Sequence, residues 1–168
     1  MTYMPWEHDR RIRELAEVFR DLGAADYEER ARSEVEENTP RLAAFLALRK
    51  MWRHAMPWVD DPSGWIEVVV EEADDPNAPF PDAGGALRRM LAAGADPDDV
   101  LTVARMVAVG TLFSTLHTVD DGRDHAAPED TPGWRLVETD PDGEPTGRVV
   151  SGLHKEVLFL EPRRRGRR

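Results

Sequence analysis

The segment from Val100 to Val119 constrains the fold of this chain more than any other feature. One third of the protein is charged, yet these twenty residues carry a single formal charge, that of Arg105. Asp96 and Pro97 precede the segment as a helix-start signal, and Gly122 follows it as a stop signal. A helix that is apolar on all sides is typical of a protein interior. We therefore predict a central helix at about 97–120 that is buried among the other helices.

Twenty apolar residues also match the length of a membrane span. The segment nevertheless contains Arg105, Gly110, His117 and several hydroxyl side chains, and acidic rather than basic residues flank both of its ends. Spans are usually flanked on one side by basic residues, which are missing here. The sequence therefore favours a buried helix of a soluble protein and no membrane partner.

Helical periodicity predicts several further helices before this segment. Apolar residues recur at intervals of three and four in Glu7–Leu22 and from Thr39 to Met56, and more weakly in Ala24–Glu37. Thr39 is predicted to cap the third of these helices, with Pro40 as its first residue. Asp82 is likewise predicted to cap a helix over Ala83–Ala93.

The segment Pro62–Ala73 permits two structures. Its Val68-Val69-Val70 run favours a strand at Trp65–Glu71, because β-branched side chains pack well in sheets. Acidic residues at helical spacing, together with Asp61 and Pro62 as a start signal, favour a helix. We favour the helix, and the strand remains the alternative, because short apolar runs rarely distinguish the two.

The C-terminal quarter predicts a β-hairpin. Trp134–Glu138 and Gly147–Val150 have strand character, and Asp140-Pro141-Asp142-Gly143 between them has turn chemistry. A lone hairpin is marginal in water, so Trp134, Leu136 or Val149 is expected to pack on the helices. A short helix, Leu153–Leu160, is predicted to follow the hairpin.

Together these elements predict a mainly α (α+β) fold. Five to seven helices surround a central buried helix at about 97–120, and a C-terminal β-hairpin lies at about 134–150. Residues 1–162 are predicted to form one domain, because a chain of this length can bury a sufficient core. The last six residues, 163–168, contain five arginines and are expected to form a disordered basic tail.

Charge and composition narrow the functional classes. The chain has a net charge of −11, and its first 162 residues alone carry −16. Such an acidic surface repels nucleic acid and steers basic partners toward itself. There is no cysteine, which excludes disulfides and thiolate chemistry, and the N-terminal residues do not resemble a secretory signal. The arginine-rich, lysine-poor composition suggests a bacterial origin, and we expect a cytoplasmic protein.

The chain has none of the familiar nucleotide, hydrolase or metalloprotease motifs, so candidate site residues come from clustering alone. Imidazole and carboxylate side chains cluster near the end of the central helix, and both are ligands that suit a transition metal. The ordinary polar end of a helix would also account for this cluster. Arg105 is a candidate anion-binding residue, although an ion pair or a solvated side chain would also account for it. The candidate binding residues are Arg105, His117, Asp120, Asp121, Asp124 and His154; His125 belongs to the same cluster.

From these features, we hypothesise an interaction protein that binds a basic or catalytic protein partner, as an immunity-type inhibitor or a regulator would. The hypothesis assigns no catalytic residue, metal or cofactor, and it leaves the oligomeric state open. Two alternatives remain: a small-molecule-binding domain that uses Arg105, and a small metal-dependent enzyme that uses His117 and the nearby aspartates.

Overall fold

The computed structural model of the chain describes residues 5–59 and 61–160, without the side chains of Pro5 and Pro62. The arginine-rich tail, predicted for 163–168, lies outside the described residues. Within the described part, seven α-helices and one two-stranded antiparallel sheet confirm the predicted mainly helical α+β class. The elements are α1 (Pro5–Asp21), α2 (Tyr27–Glu36), α3 (Arg41–Ala55), α4 (Pro62–Glu71), α5 (Pro81–Ala92), α6 (Pro97–Asp121), β1 (Leu136–Thr139), β2 (Pro145–Val150) and α7 (Leu153–Glu156).

Two helices begin as their sequences predict. The carboxylate of Asp61 accepts a hydrogen bond from the backbone N–H of Gly64 at 3.0 Å, so the 62–73 segment begins as a helix and not as a strand. Asp96 accepts one from the N–H of Asp98 at 2.8 Å and starts α6. Helix α6 ends at Gly122, whose φ of 75° lies in the left-handed region that glycine adopts without strain.

Two predicted caps are wrong. Helix α3 begins after Pro40, and the Thr39 hydroxyl donates to the Ser33 carbonyl at 3.3 Å instead of capping α3. Thr39 thereby connects the end of α2 to the start of α3, a tertiary role that local spacing does not reveal. Helix α5 begins at Pro81, so Asp82 lies in its first turn, where its charge suits the helix dipole without capping it. Helix α7 ends at Glu156, earlier than the predicted Leu160.

Three clusters of buried apolar side chains hold these elements together. The largest joins α3, α6, β2 and α7, and its fully buried members include Trp52, Leu116 and Leu153. A second cluster packs α1 and α2 on α3, where Phe19 meets Phe45 edge-to-face. A third joins α4, α5 and the first turns of α6 through Ile66, Leu87 and Leu101. The core is thus distributed along the protein rather than concentrated around one helix.

The predicted burial of the central helix is wrong. Helix α6 forms over the predicted residues, but only Leu101 and Leu116 among its side chains are buried. By length and composition alone it could cross a membrane, with a mean hydropathy of 1.4 over its most apolar window and 11% of that window buried. The other helices pack on one side of α6 instead of surrounding it. The apolar composition of the helix predicted a full shell of neighbours, which residues 5–59 and 61–160 do not supply.

The hairpin packs on the helices through Val150, which the sequence did not predict, and through Trp134, which it did. Leu136 pairs with Val150 and Val137 with Val149, and an irregularity before Thr139 shifts the register. Val150 is buried in the largest cluster, whereas Leu136 and Val149 remain partly exposed. Trp134 lies before β1 and donates its indole N–H to the Thr118 carbonyl at 3.0 Å. Consecutive side chains of a strand point to opposite faces of the sheet, so Val149 points away from the helices when Val150 points toward them.

Trp52 provides a test of the main core. Its side chain is 2% exposed, and its indole N–H donates to the Val157 carbonyl at 3.1 Å. We expect Trp52→Phe to lower the free energy of unfolding by about 2–3 kcal/mol, through lost packing and an unpaired carbonyl. Urea unfolding followed by circular dichroism measures the change. Trp6→Phe is the control, because Trp6 is exposed, and an equal loss in both variants would contradict this account of the core.

Candidate functional site

The exposed side of α6 is as apolar as its buried side. The inner side packs on the main core through Leu116 and its partly buried neighbours Leu112 and Val119. On the opposite side, Val103, Met106 and Val107 are 59%, 66% and 56% exposed. With the exposed Gly110 and Ser114, they recur at intervals of three and four along one helix face. We call these five residues the outer stripe: Val103, Met106, Val107, Gly110 and Ser114.

The outer stripe has the chemistry of a helix-packing surface. None of its five side chains is charged, and beyond the neighbouring backbone of α6 no described atom lies within 4 Å of the position that a Cβ on Gly110 would occupy. A second helix can therefore approach the α6 backbone closely at Gly110, between flexible Met106 and small Ser114. Contiguous exposed apolar patches on a folded protein often mark interaction sites.

Acidic residues border the outer stripe at both ends of the helix. Asp98 and Asp99 lie in the first turn of α6, and Asp121 is its last residue. A partner that covers the stripe therefore meets carboxylates at both ends. Such an arrangement favours a partner whose apolar surface is flanked by basic groups.

Three of the sequence-predicted site residues come together where α6 meets α7. The Asp120 carboxylate accepts two hydrogen bonds through the same oxygen, one from the backbone N–H of His154 at 2.9 Å and one from its Nδ1–H at 2.7 Å. An ionised carboxylate only accepts hydrogen bonds, so this contact places the His154 proton on Nδ1 and leaves Nε2 as a lone pair in the neutral ring. The Asp120 side chain is 7% exposed and that of His154 is 20% exposed.

His117 completes this cluster, one turn before Asp120 on α6. The centroids of the His117 and His154 rings are 5.0 Å apart, with 61° between the ring planes. Phe113 packs near both rings, at 6.4 Å from His117 and 5.8 Å from His154. His117 is exposed, so the pair is accessible from solvent. We call His117, Asp120 and His154 the histidine cluster.

The other predicted site residues lie outside the histidine cluster. Asp121 pairs with His125 across the helix end, with 3.1 Å between Oδ1 and Nε2, and both groups face solvent. Asp124 accepts a hydrogen bond from the Ala126 N–H and so shapes the loop. Arg105 lies near the middle of α6 and is exposed. Gly122 ends the helix between His117 and His125, so the two residues do not share one helix face.

A network of ion pairs that sequence reasoning missed ties α7 to the N-terminal helices. Glu156 accepts hydrogen bonds from both Arg30 and Arg41, and the Arg30 side chain is only 9% exposed. Burial alone would lower the pKa of Arg30, but the hydrogen bonds to Asp26 and Glu156 outweigh it and raise that pKa above its usual value. Arg30 therefore stays charged, and α7 is held against α2 and α3.

A second part of the network fixes the hairpin. Arg148 on β2 donates to the Glu34 carboxylate and to the Thr39 carbonyl, each at 2.6 Å, and also pairs with Glu138. Glu34 in turn accepts from the backbone N–H of Leu42 at 2.6 Å. Arg148 lies 114 residues after Glu34 and 109 residues after Thr39, so no local spacing predicts these two contacts. These contacts position the strands and α7, and therefore also the histidine cluster.

Comparison with known proteins finds no matching family model, no similar curated protein and no similar solved structure.

Glu156→Gln tests the ion-pair network. The substitution keeps the size of the side chain but removes the charge that Arg30 and Arg41 share. We expect a loss of about 2 kcal/mol in the free energy of unfolding, because partly buried Arg30 then keeps Asp26 alone and Arg41 loses its nearest carboxylate. Glu14→Gln removes an exposed i,i+4 pair with Arg10 and should change stability little. Equal urea midpoints for the two variants would show that Glu156 contributes no more than a surface charge.

Proposed function

We propose that this protein is an interaction protein, and that the outer stripe of α6 binds a partner protein. The observation that carries the proposal is the exposure of Val103, Met106 and Val107 on a helix whose opposite side is packed in the core. Burial of such side chains stabilises a complex by about 25 cal/mol per Å² of apolar surface, before the cost of association. A partner helix laid along the stripe would bury them together, with Gly110 at the point of closest approach.

The charge of the protein favours a basic protein partner over a second copy of the chain or an anionic lipid surface as the occupant of the outer stripe. With a net charge of −11, a second copy of the chain is repelled at long range, and so is an anionic lipid surface. Asp98, Asp99 and Asp121 at the ends of α6 add local repulsion toward both. The same charges accelerate encounter with a cationic protein. The occupant we propose is therefore an amphipathic segment with an apolar face and basic flanks.

An immunity-type inhibitor or a regulator in a bacterial cytoplasm would work in this way. Such a protein needs no chemistry of its own, because covering the partner's surface is sufficient. Its acidic surface gives fast, salt-sensitive capture, and the apolar stripe gives the contacts that slow dissociation. Electrostatics and apolar burial thus have separate roles that can be tested separately.

A pair of synthetic helical peptides tests the proposal on the full chain. Both peptides carry the same leucine face; one has lysine and arginine on its flanks, and the other has glutamate. We expect the basic peptide to bind in isothermal titration calorimetry, more weakly as salt is raised, and the acidic peptide not to bind. Equal binding of both peptides would show that the protein does not select its partner by charge.

Val107→Glu locates the binding surface. It should weaken binding of the basic peptide at least about tenfold, because a carboxylate then interrupts the apolar contact. Val68→Glu on α4 is the matched control, since Val68 is 54% exposed and outside the stripe. Both substitutions make the protein equally more acidic, so loss of binding in Val107→Glu alone assigns the surface. Equal affinities of the two variants contradict the proposal.

Two further measurements with the same variants test whether a second copy of the chain or a lipid surface covers the outer stripe. Concentration-dependent dimerisation in analytical ultracentrifugation, abolished by Val107→Glu, would show that the stripe is covered by a second copy. Binding to phosphatidylcholine vesicles, abolished by the same change, would show a lipid surface instead. Either result would overturn the proposal of a basic protein partner.

A further inference from the structure

The histidine cluster has the arrangement of groups that binds a divalent transition metal. Asp120 holds the Nδ1–H of His154 at 2.7 Å, which fixes the ring orientation and directs the lone pair of Nε2 away from the carboxylate. Metal-binding histidines are commonly oriented by a carboxylate in this way, which also raises the basicity of the ligand nitrogen. The backbone N–H of His154 binds the same Asp120 oxygen, so the carboxylate is itself held in place.

The distance between the two rings fits joint binding of one ion. A zinc-bound imidazole has its centroid about 3.2 Å from the ion, and a tetrahedral angle then separates two such centroids by about 5 Å. The centroids of His117 and His154 are 5.0 Å apart. Phe113 packs near both rings and restricts their movement. This spacing allows both rings to reach one ion.

We infer that His117 and His154 form a two-histidine site for a divalent transition metal of the zinc and copper type, with Asp120 as a positioning residue. Imidazole nitrogen suits zinc, copper and nickel, whereas magnesium and calcium prefer oxygen ligands. No group of three metal-binding side chains occurs within residues 5–59 and 61–160, so water completes the coordination. The site is then weaker than a structural zinc site and keeps positions open.

This inference is independent of the proposed protein partner. The site consists of groups on α6 and α7 of one chain and needs no second molecule. The second imidazole beside His117 is that of His154 on α7, whereas His125 pairs with Asp121.

Titration of the full chain with copper(II) and zinc tests the site. We expect one copper per chain, with a visible absorption band typical of nitrogen ligation, and shifted ring-proton NMR signals of His117 and His154 on addition of zinc. His117→Ala should abolish both signals, and circular dichroism should show that it stays folded because His117 is exposed. Asp120→Asn should weaken binding about 10- to 100-fold, with the same single ion bound.

The chain provides matched controls, because it has only five histidines. His125→Ala and His54→Ala each remove one imidazole outside the cluster and should bind copper as the parent does. Magnesium and calcium should give no response. The inference is overturned if millimolar zinc shifts neither ring signal, or if His125→Ala loses the copper band while His117→Ala retains it.

Discussion

The packing of the inner face of α6 on α3 and α7 is the interaction on which the rest of the structure depends. Leu116 is buried in the largest cluster together with Trp52 and Leu153, and this contact brings the end of α6 against α7. The indole of Trp52 adds a hydrogen bond to the Val157 carbonyl. Once this face is buried, Asp120 lies against the backbone of His154, and the histidine cluster forms.

The same packing leaves the other side of α6 without neighbours among the described residues. A helix with two apolar sides can bury only one of them against a single layer of partners. In this protein the ion pairs of Glu156 and Arg148 hold α7 and the hairpin against α2 and α3, away from the outer stripe. The exposed apolar face therefore follows from how the rest of the chain is fixed, and it is the physical basis of the proposed interaction.

Much of the local structure could be predicted from the sequence. Asp61 and Asp96 start helices through hydrogen bonds that span two or three residues, and Gly122 ends one through its own backbone conformation. Such signals act within one turn of a helix, so the residues alone contain them. Thr39 failed as a predicted cap because its hydroxyl binds the Ser33 carbonyl, a contact set by how α2 meets α3.

Composition and short-range periodicity are enough to specify an acidic, mainly helical chain with a long apolar helix at about 97–120. The sequence also marked His117 and Asp120 as members of one cluster and His154 as a separate candidate. Only the tertiary structure decided which face of α6 is buried and that His154 lies beside Asp120, 34 residues earlier. The reason is that burial and long-range pairing depend on the geometry of all packed elements together, which no single segment specifies.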